Sequence, residues 1–283
     1  MSLKPLSITA GVDVGTSAAK AAIVGHFVTG PQVLGTWRER ILRRDAAEVA
    51  GLAFVSALEA AGFDRTQVGY VASTGEADEL KFHDGHFYGM TTHARGATFL
   101  DPRTSCVVDI GALHARVMVI DTQSRVVRSK MTSQCAAGTG QFLENIARYL
   151  GIRSDEVGPL SLRAQRAEPC SGICAVLSET DVINMVSRGV PAGEILRGVH
   201  DSIAQRLARL LRSAEASGVV MLTGGLANDT GLSGALTRQL GADHGAPLEV
   251  VAHPLSVFAG ALGAALWGEH RRQKLEAPER LSA

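Results

Sequence analysis

Two aspartates occur in the same short pattern at two places in the chain. Val12-Asp13-Val14-Gly15 is followed by Lys20, and Val108-Asp109-Ile110-Gly111 is followed by Arg116, so that corresponding residues are 96 positions apart (109 − 13). In each copy one apolar run enters the pattern and a second follows a short polar turn, which is typical of a β-hairpin. Repetition at constant spacing predicts two similar halves.

A hairpin tip made of glycine and small hydroxyl residues suits a phosphate group, because backbone N–H groups can approach the oxygens without obstruction by Cβ atoms. The residues placed for such contacts are Gly15, Thr16, Ser17 and Gly111. Asp13 and Asp109 could hold a hydrated magnesium ion, which takes few carboxylates and keeps most of its water. A single copy would more often be an ordinary turn, and the duplication favours phosphate binding.

A third glycine pattern and three helical runs define the remaining elements. The pair Gly224-Gly225 follows the apolar stretch Gly218 to Leu222, which predicts a buried strand running into a helix. Paired glycines there would let a base or ribose lie close to the backbone, although such a turn alone is more often a packing feature. Apolar residues at helical spacing predict helices over Ala46 to Ala61, His200 to Glu215 and Ser256 to Trp267.

Two of the four cysteines precede predicted helices. Cys135 comes before the amphipathic run Gln141 to Leu150, which ends at Gly151, and Cys174 comes before a helical run that ends at Gly189. A helix N-terminus carries a partial positive charge, which favours thiolate over thiol. Two thiolates are too few for a closed four-cysteine site, so a metal centre here would need the other pair from a second subunit.

The other two cysteines fit other roles. Cys106 lies in the apolar run that leads into the second Asp-x-Gly pattern, and it is interpreted as a core residue. Cys170 stands one helical turn before Cys174, but Pro169 and Gly172 around it indicate a loop. Cys174 is therefore favoured as the ligand.

Four other residues attract a functional interpretation that the pattern does not favour. Lys20 is interpreted as a surface charge of the hairpin rather than a phosphate clamp. His83, His86 and His93 are irregularly spaced and have no thiol residue near them in the sequence. They are interpreted as surface or hydrogen-bonded histidines rather than metal ligands.

Composition excludes several classes of partner. The chain has 283 residues, which exceeds one average domain, and its 28 basic and 28 acidic side chains give a formal net charge of zero. That balance removes any whole-molecule electrostatic case for nucleic acid or an anionic membrane. No signal-peptide region and no bilayer-spanning apolar run is recognised, which predicts a cytoplasmic protein without structural disulfides.

Together these patterns resemble the family of 2-hydroxyacyl-CoA dehydratase activators and benzoyl-CoA reductase ATPase subunits, over nearly the whole chain. The motifs that carry the resemblance are Gly11-Val-Asp-Val-Gly-Thr, Asp109-Ile-Gly, Cys135-Ala-Ala-Gly-Thr-Gly-Gln-Phe-Leu-Glu, Cys174-Ala-Val-Leu-Ser-Glu-Thr-Asp-Val-Ile, Thr223-Gly-Gly-Leu-Ala and Gly260-Ala-Leu-Gly-Ala-Ala-Leu. The family implies an α/β fold of the actin, sugar-kinase and heat-shock-chaperone type, with two duplicated lobes around a cleft for MgATP. The first lobe is expected over residues 1–104, with 255–283 packing back on it, and the second over 105–254.

The resemblance also implies one [4Fe–4S] cluster between two ATPase chains, each giving two cysteines. Cys135 and Cys174 match those ligands, whereas Cys106 and Cys170 match none. The other matched positions are Asp13 and Asp109, the carboxylates of the phosphate hairpins, and Gly224 and Gly225, the adenosine motif.

Four further positions complete the candidate site. Gly138, Thr139 and Gly140, between Cys135 and its helix, are candidate cofactor-binding residues. Glu179, five residues past Cys174 (179 − 174), either connects ATP hydrolysis to the cluster helix or is an exposed helix carboxylate.

One departure from the family pattern decides between its branches. Activators follow the second Asp-Ile-Gly with Gly-Gln-Asp, whereas this chain has Ala112-Leu113-His114. That stretch and Gly85 to Gly96 resemble the smaller ATPase subunit of the reductases more than the homodimeric activators. The expected function is therefore ATP-driven, low-potential electron activation for reduction of an aromatic acyl-CoA ring. Expected partners are a larger homologous ATPase subunit, acyl-CoA-reducing subunits and a ferredoxin-type donor, with no nucleic acid and no membrane.

Three alternatives stay open. A homodimeric dehydratase activator would hold a functional cluster with this chain alone. A small-molecule kinase of the same fold would have no cluster and would not need Cys135 or Cys174. A non-redox regulator or assembly ATPase would use both cysteines as core residues.

Overall fold

The computed structural model describes residues 4–77, 80–132, 140–170, 175–241 and 247–277, with the backbone alone for 175–178. The chain divides into two compact units, Met1–Leu100 with Phe258–Ala283, and Asp101–Val257. Within the described ranges no helix is long and apolar enough to cross a membrane.

Unit 1 is built on a five-stranded mixed sheet. Its strands are β1 (Ser7–Val14), β2 (Ala18–Phe27), β3 (Gly30–Arg40), β4 (Tyr70–Gly75) and β5 (Gly85–Phe87), and its helices are α1 (Ala46–Ala61), α2 (Gly89–Leu100) and α8 (Ala259–Glu276). The strand order is β3-β2-β1-β4-β5. The first three strands form an antiparallel meander, and β4 and β5 run parallel to β1.

Helix α1 covers one face of this sheet and has the bounds that its periodicity predicted. The Asp45 side chain accepts a hydrogen bond from the N–H of Glu48 at the start, and Gly62 ends the helix with a φ of 73°. Its apolar stripe packs into the core of the unit, where Phe54 stacks on Phe82 with ring centroids 5.4 Å apart.

Helix α8 returns to unit 1 and approaches β1 and α2 at backbone distance. A Cβ atom added at Gly11 would lie 1.8 Å from the carbonyl oxygen of Ala261, and one added at Gly263 would lie 1.7 Å from that of Thr92. Only glycine permits this approach, because any Cβ would overlap a backbone atom. The predicted small-residue helix is confirmed, but it begins at Ala259 rather than Ser256 and continues to Glu276.

Unit 2 repeats the same topology. Its strands are β6 (Thr104–Ile110), β7 (Ala115–Ile120), β8 (Val126–Met131), β9 (Gly218–Gly224) and β10 (Leu248–Val251). They lie in the order β10-β9-β6-β7-β8, so that a meander of three antiparallel strands again has two parallel strands beside its first member. The predicted duplication is confirmed in both strand order and strand direction.

The helices of unit 2 are α3 (Gly140–Tyr149), α4 (Ser154–Arg163), α5 (Ala175–Ser187), α6 (Ala192–Ser213) and α7 (Thr230–Gly241). Helices α3 and α5 confirm the two runs predicted after the cysteines. Gly151 and Gly189 follow them with φ angles of 68° and 73°, as expected of helix-ending glycines. Cys106 is fully buried, which confirms its interpretation as a core residue, and Cys170 is half-buried in a loop.

Candidate functional site

The first hairpin brings Asp13 and Lys20 together inside unit 1. Antiparallel pairing places the two residues opposite each other, and the N–H of Gly15 closes the turn on the carbonyl oxygen of Ala18 at 3.0 Å. Lys20 Nζ donates to Asp13 Oδ2 at 3.0 Å, and the two residues are 7% and 4% exposed. The prediction of a surface charge at Lys20 is therefore wrong, because the side chain is buried. Its ammonium group compensates the charge of the buried Asp13 carboxylate.

Helices α2 and α8 close the surroundings of Asp13. His93 is buried, and its Nε2 lies 4.0 Å from Asp13 Oδ2. A Cβ atom added at Gly260 would lie 2.9 Å from the same oxygen and 2.8 Å from His93 Nε2. Because Gly260 has no side chain, it leaves room for the Asp13 carboxylate. No sequence pattern placed either His93 or Gly260 beside Asp13.

The three histidines that invited a metal-binding interpretation have different positions. His83 Nδ1 and His86 Nδ1 lie 3.1 Å and 3.0 Å from Ser73 Oγ, which confirms them as hydrogen-bonded side chains. His93 is buried beside Asp13 rather than on the surface. In the part of the chain that the structure describes, no three His, Cys, Asp or Glu side chains are arranged to hold a metal ion.

A glycine turn that sequence reasoning missed lies beside Asp13. Parallel pairing of β4 with β1 sets Thr74 opposite Asp13 and Gly75 opposite Val14. Gly75 has a φ of 79°, and a Cβ there would lie 2.2 Å from the carbonyl oxygen of Val14 and 3.0 Å from Asp13 Oδ1. The signal was available as Ser73-Thr74-Gly75 after an apolar run, but only the strand pairing shows which residue it approaches.

Unit 2 builds the same arrangement around Asp109. Arg116 Nε donates to Asp109 Oδ2 at 3.0 Å, and Asp109 is 4% exposed. The N–H of Gly111 closes the turn on the carbonyl oxygen of His114 at 3.0 Å. Gly224 has a φ of 85°, and a Cβ there would lie 2.5 Å from Asp109 Oδ1. In each unit a basic side chain and a glycine therefore enclose the aspartate. No other residue could replace that glycine without displacing the carboxylate.

Helix α3 begins directly on the second hairpin turn. The N–H of Gly140 donates to the carbonyl oxygen of Gly111 at 2.9 Å, and the N–H of Gln141 donates to that of Ala112 at 3.1 Å. Two of the backbone donors at this helix start are thereby satisfied by the turn. A movement of the turn would act on the first residue of α3, which follows the Cys135 segment.

The residues after the Gly224-Gly225 pair are anchored by a buried network. Asp229 Oδ1 accepts from the N–H of Leu232 at 2.9 Å and so caps α7. His200 Nε2 lies 3.3 Å from the same oxygen, and His200 Nδ1 lies 2.8 Å from Ser161 Oγ of α4. Burial raises the pKa of Asp229, but the neighbouring His200 and the backbone N–H groups of Leu232 and Gly231 together outweigh it and hold that pKa below its ordinary value.

The structure leaves part of the predicted site undescribed. Cys135, Gly138, Thr139 and Cys174 lie outside the described residues. Glu179 is exposed on α5. Of the other predicted residues, one group meets in unit 1 (Asp13, Gly15, Thr16 and Ser17) and another in unit 2 (Asp109, Gly111, Gly140, Gly224 and Gly225).

Two solved structures share this architecture over almost their full lengths. Component A of the (R)-2-hydroxyglutaryl-CoA dehydratase of Acidaminococcus fermentans has a TM-score of 0.85 at 28% identity, covering 94% of this chain and 99% of that chain. The activator of the 2-hydroxyisocaproyl-CoA dehydratase of Clostridium difficile, with bound ADPNP, has a TM-score of 0.86 at 27% identity, covering 98% and 100%. The duplicated sheets define a two-lobed α/β protein of the actin-like ATPase fold, as expected from the sequence.

Sequence comparison then fixes the family. Residues 10–268 match the BadF/BadG/BcrA/BcrD ATPase family, and the chain belongs to it. It is 53% identical to the D-type subunit of the benzoyl-CoA reductase of Thauera aromatica over 273 residues, covering 95% of this chain and 96% of the relative. It is 32% identical to the activator of lactoyl-CoA dehydratase of Anaerotignum propionicum, covering 94% and 99%.

Proposed function

We propose that this chain is the ATP-hydrolysing, electron-activating subunit of an ATP-dependent benzoyl-CoA reductase. Its similarity to a benzoyl-CoA reductase subunit over nearly the full length of both chains supports the reductase assignment. One observation supports coupling between ATP hydrolysis and electron transfer. Helix α3 begins on the second hairpin turn, where the N–H of Gly140 donates a hydrogen bond to the carbonyl oxygen of Gly111. That bond joins a phosphate-binding turn to the segment that contains Cys135.

Magnesium ATP is the proposed substrate. Each unit has a buried carboxylate beside a glycine, in a space that a Cβ atom at that glycine would fill. Carboxylate oxygens are hard ligands, which suit Mg²⁺. Asp13 and Asp109 would hold the hydrated ion. The proposed phosphate contacts are Gly15, Thr16, Ser17 and Gly111, and the proposed adenosine contacts are Gly224 and Gly225. A relative solved with ADPNP supports nucleotide binding.

A [4Fe–4S] cluster is the proposed electron carrier. Cys135 and Cys174 would supply two ligands, and the larger homologous ATPase subunit would supply the other two. The support is the position of each cysteine ahead of a helix: Cys174 directly precedes α5, whose N-terminal partial charge favours a thiolate, and Cys135 is five residues before the first residue of α3 (140 − 135). Gly138, Thr139 and Gly140 are proposed to make cofactor contacts, and Glu179 to connect hydrolysis with α5.

The proposed partners follow from this role. Electrons would arrive from a ferredoxin-type donor and leave to acyl-CoA-reducing subunits. A homodimeric dehydratase activator is the second candidate, because a dehydratase component A and a dehydratase activator share the fold over nearly their whole length. It differs in needing no larger companion.

The test is ATP-dependent reduction of benzoyl-CoA by the complex of this chain with its companion subunits, prepared without oxygen. Asp109→Asn should abolish both ATP hydrolysis and ring reduction, because it removes the buried carboxylate that Arg116 holds. Asp155→Asn is the matched control, since Asp155 is an exposed helix residue, and it should retain both. A complex that hydrolyses ATP without reducing benzoyl-CoA, yet activates a 2-hydroxyacyl-CoA dehydratase, would transfer the assignment to the second candidate.

A further inference from the structure

The turn after β4 places an exposed acid beside the first phosphate hairpin. The N–H of Glu76 donates to the carbonyl oxygen of Val14 at 2.7 Å, and Thr16 Oγ1 donates to Glu76 Oε1 at 3.3 Å. Glu76 and Thr16 are both exposed. The backbone and the side chain of Glu76 are thus each tied to the hairpin that is proposed to contact phosphate.

The duplicated topology shows that this position adjoins the aspartate in both units. Thr74 pairs with Asp13 as Thr223 pairs with Asp109, and the glycines that follow, Gly75 and Gly224, both have positive φ angles. The next residue is Gly225 in unit 2, where the proposed adenosine motif requires an open backbone, and Glu76 in unit 1. At one structural position the two units therefore carry different chemistry.

We propose that Glu76 is a catalytic residue of ATP hydrolysis that orients the attacking water and accepts its proton. The proposal rests on the ATPase function proposed above. In the step, the water oxygen forms a bond to the γ-phosphorus, and the bond from that phosphorus to the β,γ-bridging oxygen breaks with its electron pair leaving on ADP. One water proton passes to the Glu76 carboxylate and then to solvent.

Charge favours this role over a direct phosphate contact. A carboxylate repels a polyphosphate at short range. An acid beside a phosphate-binding turn is therefore better suited to contact a water molecule next to the phosphate than the phosphate itself. Asp13 and Asp109 each already hold a basic side chain, Lys20 and Arg116. The second turn continues as Ala112-Leu113-His114 and supplies no acid. Among the described residues of the two hairpin turns and their glycine turns, Glu76 is the carboxylate that no basic side chain holds.

The decisive variant is Glu76→Gln. The amide oxygen of glutamine can still accept the hydrogen bond from Thr16, so the contact with the hairpin is kept while proton acceptance is lost. The chain, together with its companion, is assayed for ATP binding at equilibrium and for single-turnover hydrolysis. Glu59→Gln is the matched control, because Glu59 is exposed on α1.

The expected result is a fall in the hydrolysis rate on the order of 100-fold, with an ATP dissociation constant within roughly threefold of the parent. Glu76→Asp, which keeps a carboxylate, should recover part of the rate, and Glu59→Gln should match the parent. A Glu76→Gln protein that hydrolyses bound ATP at the parent rate would overturn the role of Glu76 alone. Equal losses of binding and hydrolysis would make it a binding residue, which also overturns the proposal. A parent that binds no ATP would overturn the ATPase function as well.

Discussion

Replacement of Gly260 by alanine tests how α8 shapes the surroundings of Asp13. The added Cβ would lie 2.9 Å from Asp13 Oδ2 and 2.8 Å from His93 Nε2, well inside ordinary contact distance. Overpacking of a filled interior costs about 1–3 kcal/mol, whereas glycine to alanine inside a helix gains about 1 kcal/mol. The net expectation is a loss of about 1 kcal/mol in the free energy of unfolding. A displaced carboxylate should lower the rate of ATP hydrolysis far more, by on the order of 100-fold.

Gly51→Ala is the matched control. Gly51 lies inside α1, where the nearest atom to an added Cβ is Phe82 Cε1 at 4.0 Å. It should raise the free energy of unfolding by about 0.5–1 kcal/mol and leave hydrolysis unchanged. Urea unfolding and ATP turnover are measured on both variants. If Gly260→Ala is as stable as Gly51→Ala and hydrolyses ATP at the parent rate, the close packing of α8 on Asp13 is refuted.

Three further changes probe the packing of the units. Lys20→Met leaves Asp13 buried without its cation and should lower the urea-derived free energy of unfolding by about 3 kcal/mol. Burial raises the pKa of Glu269, but hydrogen bonds, led by that of Arg272, lower it to about 2. This folded-state pKa is below the unfolded value of 4.5, so Glu269→Gln should lower the free energy of unfolding by about 2 kcal/mol at neutral pH. The difference from the parent should shrink as pH falls from 4.5 toward 2, which thermal unfolding at several pH values measures. Asp45→Ala removes the cap of α1 and should cost about 1 kcal/mol.

Each of these changes has its own contrary outcome. An unchanged urea midpoint in Lys20→Met would mean that Asp13 does not depend on this cation. A difference between parent and Glu269→Gln that stays constant from neutral pH to pH 2 would exclude the ion pair as its source. An Asp45→Ala protein of parent stability would show that the first turn of α1 is held by other contacts.

The parts of the site whose residues are close together in the sequence could be predicted, because short sequence patterns indicate them. Constant spacing between the two Asp-x-Gly patterns predicted the duplicated hairpins. The pairing of Asp13 with Lys20 across the turn comes from the structure. Burial of Lys20 was not predictable in the same way. It depends on which elements cover that face of the hairpin, and β-strand periodicity does not distinguish a buried ion pair from an exposed one.

The missed residues come from distant parts of the chain. His93 in α2 and Gly260 in α8 meet Asp13 only after the C-terminal helix returns to unit 1, a contact that no short pattern records. Gly75 and Glu76 reach the hairpin through parallel pairing of β4 with β1, which joins residues about sixty positions apart in sequence. A turn of the form Ser-Thr-Gly after an apolar run can mark the end of a strand, but it does not show which element lies beside it.

The most direct test of the electron-activating role is the iron and acid-labile sulfide content, with the visible spectrum, of protein purified without oxygen together with its larger companion subunit. The parent should be brown, Cys135→Ser and Cys174→Ser should each lose the iron and the colour, and the control Cys170→Ser should keep both. A colourless parent that still hydrolyses ATP in every preparation would contradict the cluster and leave an ATPase without electron transfer.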